Sequence, residues 1–422
     1  MACTKKTPVI IDSDPGVDDT IAILLALAAP ELEILAFVVS FGKPQQHRYS
    51  VILIYQALTR HFAQYPSHKV RFPNYSQAVK PFLARGSHGP LEGDLHSAQY
   101  FHGRDGLGDI TQRHPDLNIE EFSSDHPQLV LTDQSGVDLA LDLIRTSPPR
   151  TITYIALGPL TNLANMMRQD GRLVRERIGR IICMGGALDV PGNTSPVAEF
   201  NFFADPFAVK ELLLSDGGLP LDRFVLLPLD ITTPHELPFP IYNSMVDPSF
   251  DSPPANLFTT SHKSPLIHFT SAFLEKTREI MLQFGKDAME LHDIVAVWCA
   301  IENPPVSNMD IAPGWKGGRR VFDIERVGEV TRGMLVVDRR MDEFVYALGA
   351  NRSEVHSDQD KAFPSQGTGN ATAFPAQVEI EEAPPSKPAV GSGVFCITGT
   401  PGPSTLLNLL LKRIWGVDCP VA

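Results

Sequence analysis

Apolar positions along the chain fall into short continuous runs and longer stretches of helical period, and the two kinds alternate. Residues 9–11 form a strand-like run, Pro15-Gly16 marks a turn, residues 17–28 carry a helical pattern, and residues 34–40 read as a second strand. A strand, a helix and a strand in that order predict a parallel sheet. A helix is expected over about 50–60. Residues 66–134 are rich in Gly, Pro, His and Ser, which predicts mostly loops and short elements, the kind of segment in which function tends to sit.

The alternation then resumes. A helix is expected at 137–145, a strand at 151–156, a helix opening near Pro159, a strand at 180–184, a helix at 205–214 and a strand at 223–228. Asp205 can cap its helix and Pro206 suits the first helical position. Residues 241–264 read as a loop excursion, 265–284 and 294–300 as helices, and 318–327 with 331–337 as an antiparallel edge hairpin. Residues 351–393 are poor in large apolar side chains and rich in Pro, Ser, Gly and Glu, which predicts an extended or flexible insertion. Residues 405–415 are apolar enough for a helix that packs back on the body. The pattern therefore predicts an α/β protein with an open, mostly parallel sheet flanked by helices and a small antiparallel edge. The expected units are an α/β domain over 1–350, the insertion over 351–393 and a C-terminal helical segment over 394–422.

Composition narrows the chemistry. The chain has 422 residues, of which 43% are hydrophobic and 20% charged, enough for a large buried core. Its formal charge is −13, from 36 Lys+Arg against 49 Asp+Glu. Such a surface repels phosphate backbones and anionic lipid, so no nucleic acid and no membrane partner is expected. The apolar stretch 21–29 is too short to span a bilayer, and neither a signal peptide nor a transmembrane helix is expected. Cys3, Cys183, Cys299, Cys396 and Cys419 are scattered with no CxxC spacing, which suits free thiols in a cytoplasmic protein.

The sharpest local signal is Asp12-Ser13-Asp14-Pro15-Gly16-Val17-Asp18-Asp19, four carboxylates at the carboxyl end of a strand and over the first turn of a helix. In open α/β sheets that is where ligands bind. Asp12 and Asp14, two apart on an extended strand, can share a face, while Asp18 and Asp19 project from the helix start. A helix dipole favours one or two acidic residues there by about 0.3–1 kcal/mol, which does not account for four. Their mutual repulsion points to a hard, oxygen-ligated cation such as Ca²⁺ or Mg²⁺. A phosphatase of the Asp-x-Asp-x-Thr/Val type is the competing reading, disfavoured by Pro15-Gly16 after Asp14.

These residues resemble the N-terminal signature of the inosine-uridine-preferring nucleoside hydrolases. Further matching segments follow in order: Phe101-His102-Gly103-Arg104-Asp105-Gly106-Leu107-Gly108, Leu157-Gly158-Pro159-Leu160-Thr161-Asn162, Met184-Gly185-Gly186, Ala198-Glu199-Phe200-Asn201-Phe202-Phe203-Ala204-Asp205-Pro206, Leu291-His292-Asp293 and Thr331-Arg332-Gly333-Met334. The resemblance implies a Rossmann-like core and hydrolysis of the N-glycosidic bond of small-molecule ribonucleosides to ribose and free base. It also implies a homodimer or homotetramer. Calcium (Ca²⁺) would be held by Asp14, Asp19, Asp293 and the Leu157 carbonyl, with Asp12 supporting them from behind and Asp18 on the ribose hydroxyls. Asp14 would also take the proton from the calcium-bound water.

The same resemblance makes Asn193, Glu199 and Asn201 a ribose clamp, with Glu199 and Asn201 facing the sugar from an extended segment while Phe200 and Phe202 face the core. His292 would protonate the departing base, a task suited to imidazole near neutral pH, and His102 would approach the base. The chemistry agrees, because breaking the C1′–N bond builds an oxocarbenium-like cation that needs an anion, an activated water and an acid for the leaving base.

Two departures stand out. Where family members usually read Gly-Asn after the second strand, this chain has Phe41-Gly42-Lys43-Pro44, and Lys43 cannot accept a hydrogen bond as an amide oxygen does. The region before His292 holds no Tyr, which leaves Phe273 or Phe284 to stack on the base. A metal-dependent phosphohydrolase and a non-catalytic ribose-binding relative inactivated by Lys43 are the alternative expectations.

Overall fold

The computed structural model describes residues 6–40, 44–119, 126–250, 263–306, 309–339 and 393–418. Lys43 and the expected insertion, apart from Gly393, lie outside the described residues.

The opening unit forms as the pattern predicts: β1 (Thr7–Ser13), α1 (Val17–Leu27) and β2 (Leu32–Val39), with β1 and β2 parallel. The sheet then takes in β3 (Phe82–Arg85), β4 (Val130–Ser135), β5 (Thr153–Ala156), β6 (Arg180–Met184), β7 (Phe224–Leu227), β10 (Lys316–Arg320) and β13 (Val394–Gly399). Its order is β10-β13-β7-β6-β5-β1-β2-β3-β4, parallel throughout except for the β10–β13 pair. Two small antiparallel pairs stand apart, β8 (Glu236–Pro238) with β9 (Ala288–Glu290) and β11 (Asp323–Ile324) with β12 (Leu335–Val336).

The central strands are apolar on both faces because helices cover both. Val9 and Ile11 of β1, Ile155 of β5, Ile182 of β6 and Val225 of β7 enter one core, which α1, α2 (Pro44–Gln64), α11 (Pro265–Gln283) and α12 (His292–Glu302) cover. Ile10, Tyr154, Ile181 and Phe224 enter the other, beneath α5 (Gly136–Thr146), α6 (Thr161–Arg177) and α8 (Pro206–Leu213). The alternation of successive side chains thus sorts the same four strands into two layers of core.

The structure corrects the sequence reading in several places. The segment 66–134 is not only loops, since β3 and β4 extend the main sheet beyond β2. The expected edge hairpin does not form as drawn: 316–320 pair with β13, and only the short β11–β12 ladder joins the two β-like stretches. The expected loop after 240 opens with a helix, α10 (Phe239–Met245). Residues 394–399, expected as part of the C-terminal helical segment, are a strand inserted between β7 and β10. The helix that follows, Pro403–Leu410, ends in a π turn, Leu411–Trp415, and buries Leu406, Leu410, Leu411, Ile414 and Trp415 in the first core. Among the described residues no helix is long and apolar enough to cross a membrane.

Candidate active site

The carboxyl ends of β1, β5 and β6 open into a cavity of about 780 Å³. Its floor comes from the β1–α1 turn. Gly16 precedes α1, and its N–H donates to Asp19 Oδ2 at 3.0 Å while Ser13 Oγ donates to Oδ1 at 2.6 Å. A Cβ on Gly16 would lie 2.7 Å from the His102 ring, so the turn and that ring can touch only because the residue is glycine. Asp14, Asp18 and Asp19 line the cavity from this turn, and Asp293 joins them from the first turn of α12.

One carboxylate oxygen from each of Asp18, Asp19 and Asp293 lies within 4.8 Å of the others. Burial is the largest influence on all four and raises them: Asp14 and Asp293 stand well above the usual carboxylate range, and Asp18 and Asp19 are also raised. Mutual repulsion adds to this for Asp14, Asp19 and Asp293, whereas His292 partly offsets it for Asp18. No Lys or Arg pairs with these four among the described residues. An all-oxygen donor set under such repulsion fits a hard cation, which would relieve the cost of ionising the group.

Asp12 does not enter this group. It has the parity of Ile10, so its carboxylate faces the other core, where Tyr154 Oη donates at 2.7 Å, Asn162 Nδ2 at 2.8 Å and Ser40 Oγ at 3.3 Å. Burial pushes it up to about 7 against the pull of these three donors. Asp12 and Asp14 therefore do not share a face, because the chain leaves the strand after Ser13 and turns at Pro15-Gly16.

The loop after β6 supplies the opposite wall. The expected extended segment stops at Glu199, which caps α7 (Phe200–Ala204) and accepts from Gly186 N–H at 2.7 Å, Asn201 N–H at 2.8 Å and Phe202 N–H at 3.1 Å. Burial raises Glu199 despite these bonds. Asn201, the second residue of the helix, donates through Nδ2 to the Leu157 carbonyl at 2.6 Å and to the Met184 carbonyl at 3.2 Å. Glu199, Asn201 and Leu157 all line the cavity. Phe202 is buried as expected, whereas Phe200 lines the cavity instead of the core. Asn193 is exposed at the rim, and its Oδ1 accepts from Phe200 N–H at 3.0 Å.

Two histidines reach the cavity. His102, at the end of α3 (Gln99–His102), accepts the Val17 N–H at Nδ1 over 3.2 Å, and burial pushes it down to about 4. His292 opens α12 beside Asp293. Its Nδ1 is 2.8 Å from Thr232 Oγ1, at the end of α9 (Leu229–Thr232), and its Nε2 is 3.0 Å from Glu290 Oε2. Glu290, although burial pushes it upward, is held down at about 2 by His292 and by Lys286, whose ammonium lies 2.6 Å from Glu290 and 2.6 Å from Glu236. Sequence reading missed Glu290, Thr232 and Lys286. Glu290 and Lys286 both precede His292 in the chain, and the pairing of β9 with β8 gathers Glu290 at the imidazole and Lys286 between Glu290 and Glu236.

The cavity lining also has an apolar part, with Met281, Phe284 and Met289. Phe284 is 70% exposed and free to meet a ligand. Phe273, the other expected stacking residue, is fully buried against Phe269 at a centroid distance of 5.4 Å and lies outside the cavity.

Comparison with known proteins agrees with this geometry. Residues 9–363 match the family described as inosine-uridine preferring nucleoside hydrolase. An inosine-uridine preferring nucleoside hydrolase of Leishmania major is 30% identical over 333 residues, covering 79% of this chain and 88% of the relative. A pyrimidine-specific ribonucleoside hydrolase, RihA, of Shewanella sp. (strain MR-7) is 31% identical over 343 residues, 79% of this chain and 86% of that protein. Among solved structures, a plant nucleoside hydrolase superposes with a TM-score of 0.64 at 19% identity, covering 97% of this chain and 99% of its own, which shows a shared fold. A match running through all but the last part of the chain, on a sheet that gathers its motifs around one cavity, places this protein in the inosine-uridine preferring nucleoside hydrolase family, enzymes that hydrolyse the N-glycosidic bond of ribonucleosides.

Proposed function

We propose that the cavity takes Ca²⁺ at its floor and a ribonucleoside above it, with the residues dividing the work as follows. Asp14, Asp19, Asp293 and the Leu157 carbonyl hold the ion. Asp18, Asn193, Glu199 and Asn201 hold the ribose, and Asp14 receives a proton from the attacking water. His292 gives a proton to the departing base. The observation that carries this reading is the convergence of buried carboxylates from two separate elements, the β1–α1 turn and the start of α12, with an imidazole in the adjacent position.

When bound, calcium would anchor sugar hydroxyls and make a nearby water more acidic. The protein does the rest. Glu199 is fixed by three backbone donors, so its lone pairs toward the cavity are oriented before substrate arrives. Asn201 ties the Leu157 and Met184 carbonyls together and sets the positions of two strand ends. Carboxylates beneath the sugar stabilise the positive charge that develops at C1′. We take the apolar part of the lining, Met281, Phe284 and Met289, as the base end, and assign the proton for the base to His292, whose ring lines the same cavity.

The test is release of reducing sugar from uridine, inosine, cytidine, adenosine and nicotinamide riboside, with calcium and after chelation. Calcium-dependent release that Asp14→Ala abolishes supports the reading. Tight nucleoside binding without any release would overturn it in favour of a ribose-binding relative, and recovery of turnover in Lys43→Asn would identify Lys43 as the cause.

A further inference from the structure

A second group of metal-ligating side chains lies away from the catalytic cavity, on the face of α11 that carries His268 and Glu275. It joins that helix to the segment formed by α4 (Ile110–Arg113) and the 3-10 turn Pro115–Leu117. His114 stands at the end of α4, Asp116 lies two residues on, and His268 projects from the first turns of α11. One ligand atom from each lies within 4.8 Å of the other two.

We infer that His114, Asp116 and His268 form a site for a borderline transition-metal cation such as Zn²⁺, separate from the calcium pocket. His268 Nε2 is 2.7 Å from Asp116 Oδ2, so these two already sit at hydrogen-bond distance, and an ion would replace the proton between them. The two imidazole rings stand edge to face, with centroids 5.5 Å apart and planes at 78°. A tetrahedral ion with bonds of ~2.1 Å places its ligands roughly 3.4 Å apart, so the group needs only side-chain rotation to close around one. Asp116 has that freedom, with a side chain 63% exposed, while the histidines are 22% and 25% exposed and therefore held in place.

The donor set decides the class of ion. Two imidazoles and one carboxylate suit zinc, cobalt or nickel, whereas calcium and magnesium prefer all-oxygen sites such as the catalytic floor. The surrounding charges leave room for it. Glu275, 3.3 Å from His114 Nε2, is matched by Arg113 at 2.9 Å, and Arg60 donates to the backbone carbonyl of Asp116 at 2.8 Å without reaching its carboxylate. Arg113 is itself fixed on the carbonyls of Gly108 and Ala272. An ion here would staple the segment that continues from the cavity-lining loop at Gly103–Gly106 to the helix whose far end brings Met281 to the cavity.

The test uses the full-length enzyme saturated with calcium. Zn²⁺ is titrated by calorimetry and Co²⁺ by its visible absorption, in the wild type, in His268→Gln, in His114→Gln and in the pocket variant Asp19→Asn/Asp293→Asn. The wild type should bind one more zinc ion than either histidine variant. The cobalt spectrum should persist in the pocket variant and vanish in His268→Gln and His114→Gln. Both histidine variants should keep calcium-dependent ribose release, which shows that they fold. Equal zinc stoichiometry in wild type and histidine variants would overturn the inference, as would a cobalt spectrum that disappears only in the pocket variant.

Discussion

At the scale of single residues, the two cavity histidines are set up for different tasks. His102 is half-buried, its Nδ1 is occupied by a backbone N–H, and desolvation pushes it down to about 4, so it is neutral through the physiological range and can offer a hydrogen bond but not a proton. His292 keeps polar partners at both ring nitrogens and stands beside Asp293. With His292 as the proposed acid, its loss should show only where the base needs a proton. His292→Ala is expected to lower kcat on inosine or uridine by about 10²–10⁴-fold, the usual range for a positioned acid. With p-nitrophenyl riboside, whose phenolate leaves unprotonated, the same variant should stay within a few fold of wild type, as steady-state assays on both substrates will show. An equal loss on the two substrates would mean that His292 binds ribose or shapes the site and does not act as the acid. His102→Ala should instead weaken both reactions in parallel, because its ring packs on the Gly16 turn that carries Asp18 and Asp19.

At the scale of elements, Asp205 shows how one side chain can link several of them. Its Oδ1 caps α8 through the Ala208 N–H at 3.0 Å, while Oδ2 accepts from Leu91 N–H at 2.8 Å and Thr161 Oγ1 at 2.5 Å. Replacing it by alanine removes a cap and leaves buried donors unpaired, which should cost about 2–4 kcal/mol in urea unfolding. Asp205→Asn, which can still accept, should cost less. The Asp205-Pro206 cap was legible in the sequence because capping is local, and so was the β1–α1 turn with its carboxylates. Strands β3 and β4 were not, because each is short, sits among Gly- and Pro-rich segments and owes its place to pairing across the sheet. Strand β13 escaped for the same reason: Phe395 and Cys396 find partners in Val225 and Leu226, far away in the chain. At the site, Asp14, Asp18 and Asp19 could be read from their spacing and Asp293 and Glu199 only from the family resemblance, whereas Glu290 and Thr232 could not be read at all, since neither lies in a motif and only β8–β9 pairing and α9 bring them to His292. The exchange of an extended segment for α7 was also hidden, because the Glu199 carboxylate caps the helix through the Asn201 and Phe202 N–H groups that follow it only while the Gly186 N–H, distant in the chain, helps to hold it in place.

At the scale of the whole molecule, the core depends on the last described segment, and the catalytic floor works against stability when it holds no cation. Strand β13 lies between β7 and β10, and the helical segment after it buries Leu406, Leu410, Leu411, Ile414 and Trp415. A chain ending before residue 394 would expose the β7 edge and an apolar surface, and should be recovered as aggregate where the full chain is soluble. The floor gives a reversible counterpart to that test. Asp12 at about 7, together with Asp14, Asp18, Asp19 and Asp293, all raised first of all by burial, binds protons more tightly in the folded chain than in the unfolded one. Their contribution to the metal-free protein is therefore complete at acid pH, below the ordinary carboxylate value, and is lost as pH rises toward 7 and beyond. Calcium bound there, as proposed, would reverse the preference of the carboxylates it touches, because it binds their ionised form. The urea midpoint of chelator-stripped protein should thus fall between pH 5 and pH 8, while that of calcium-saturated protein holds or rises, so that the gap between the two widens with pH. Curves that run parallel would show that these carboxylates are not the calcium ligands, and Asp19→Asn/Asp293→Asn should close the gap at every pH by removing both the repulsion and the site.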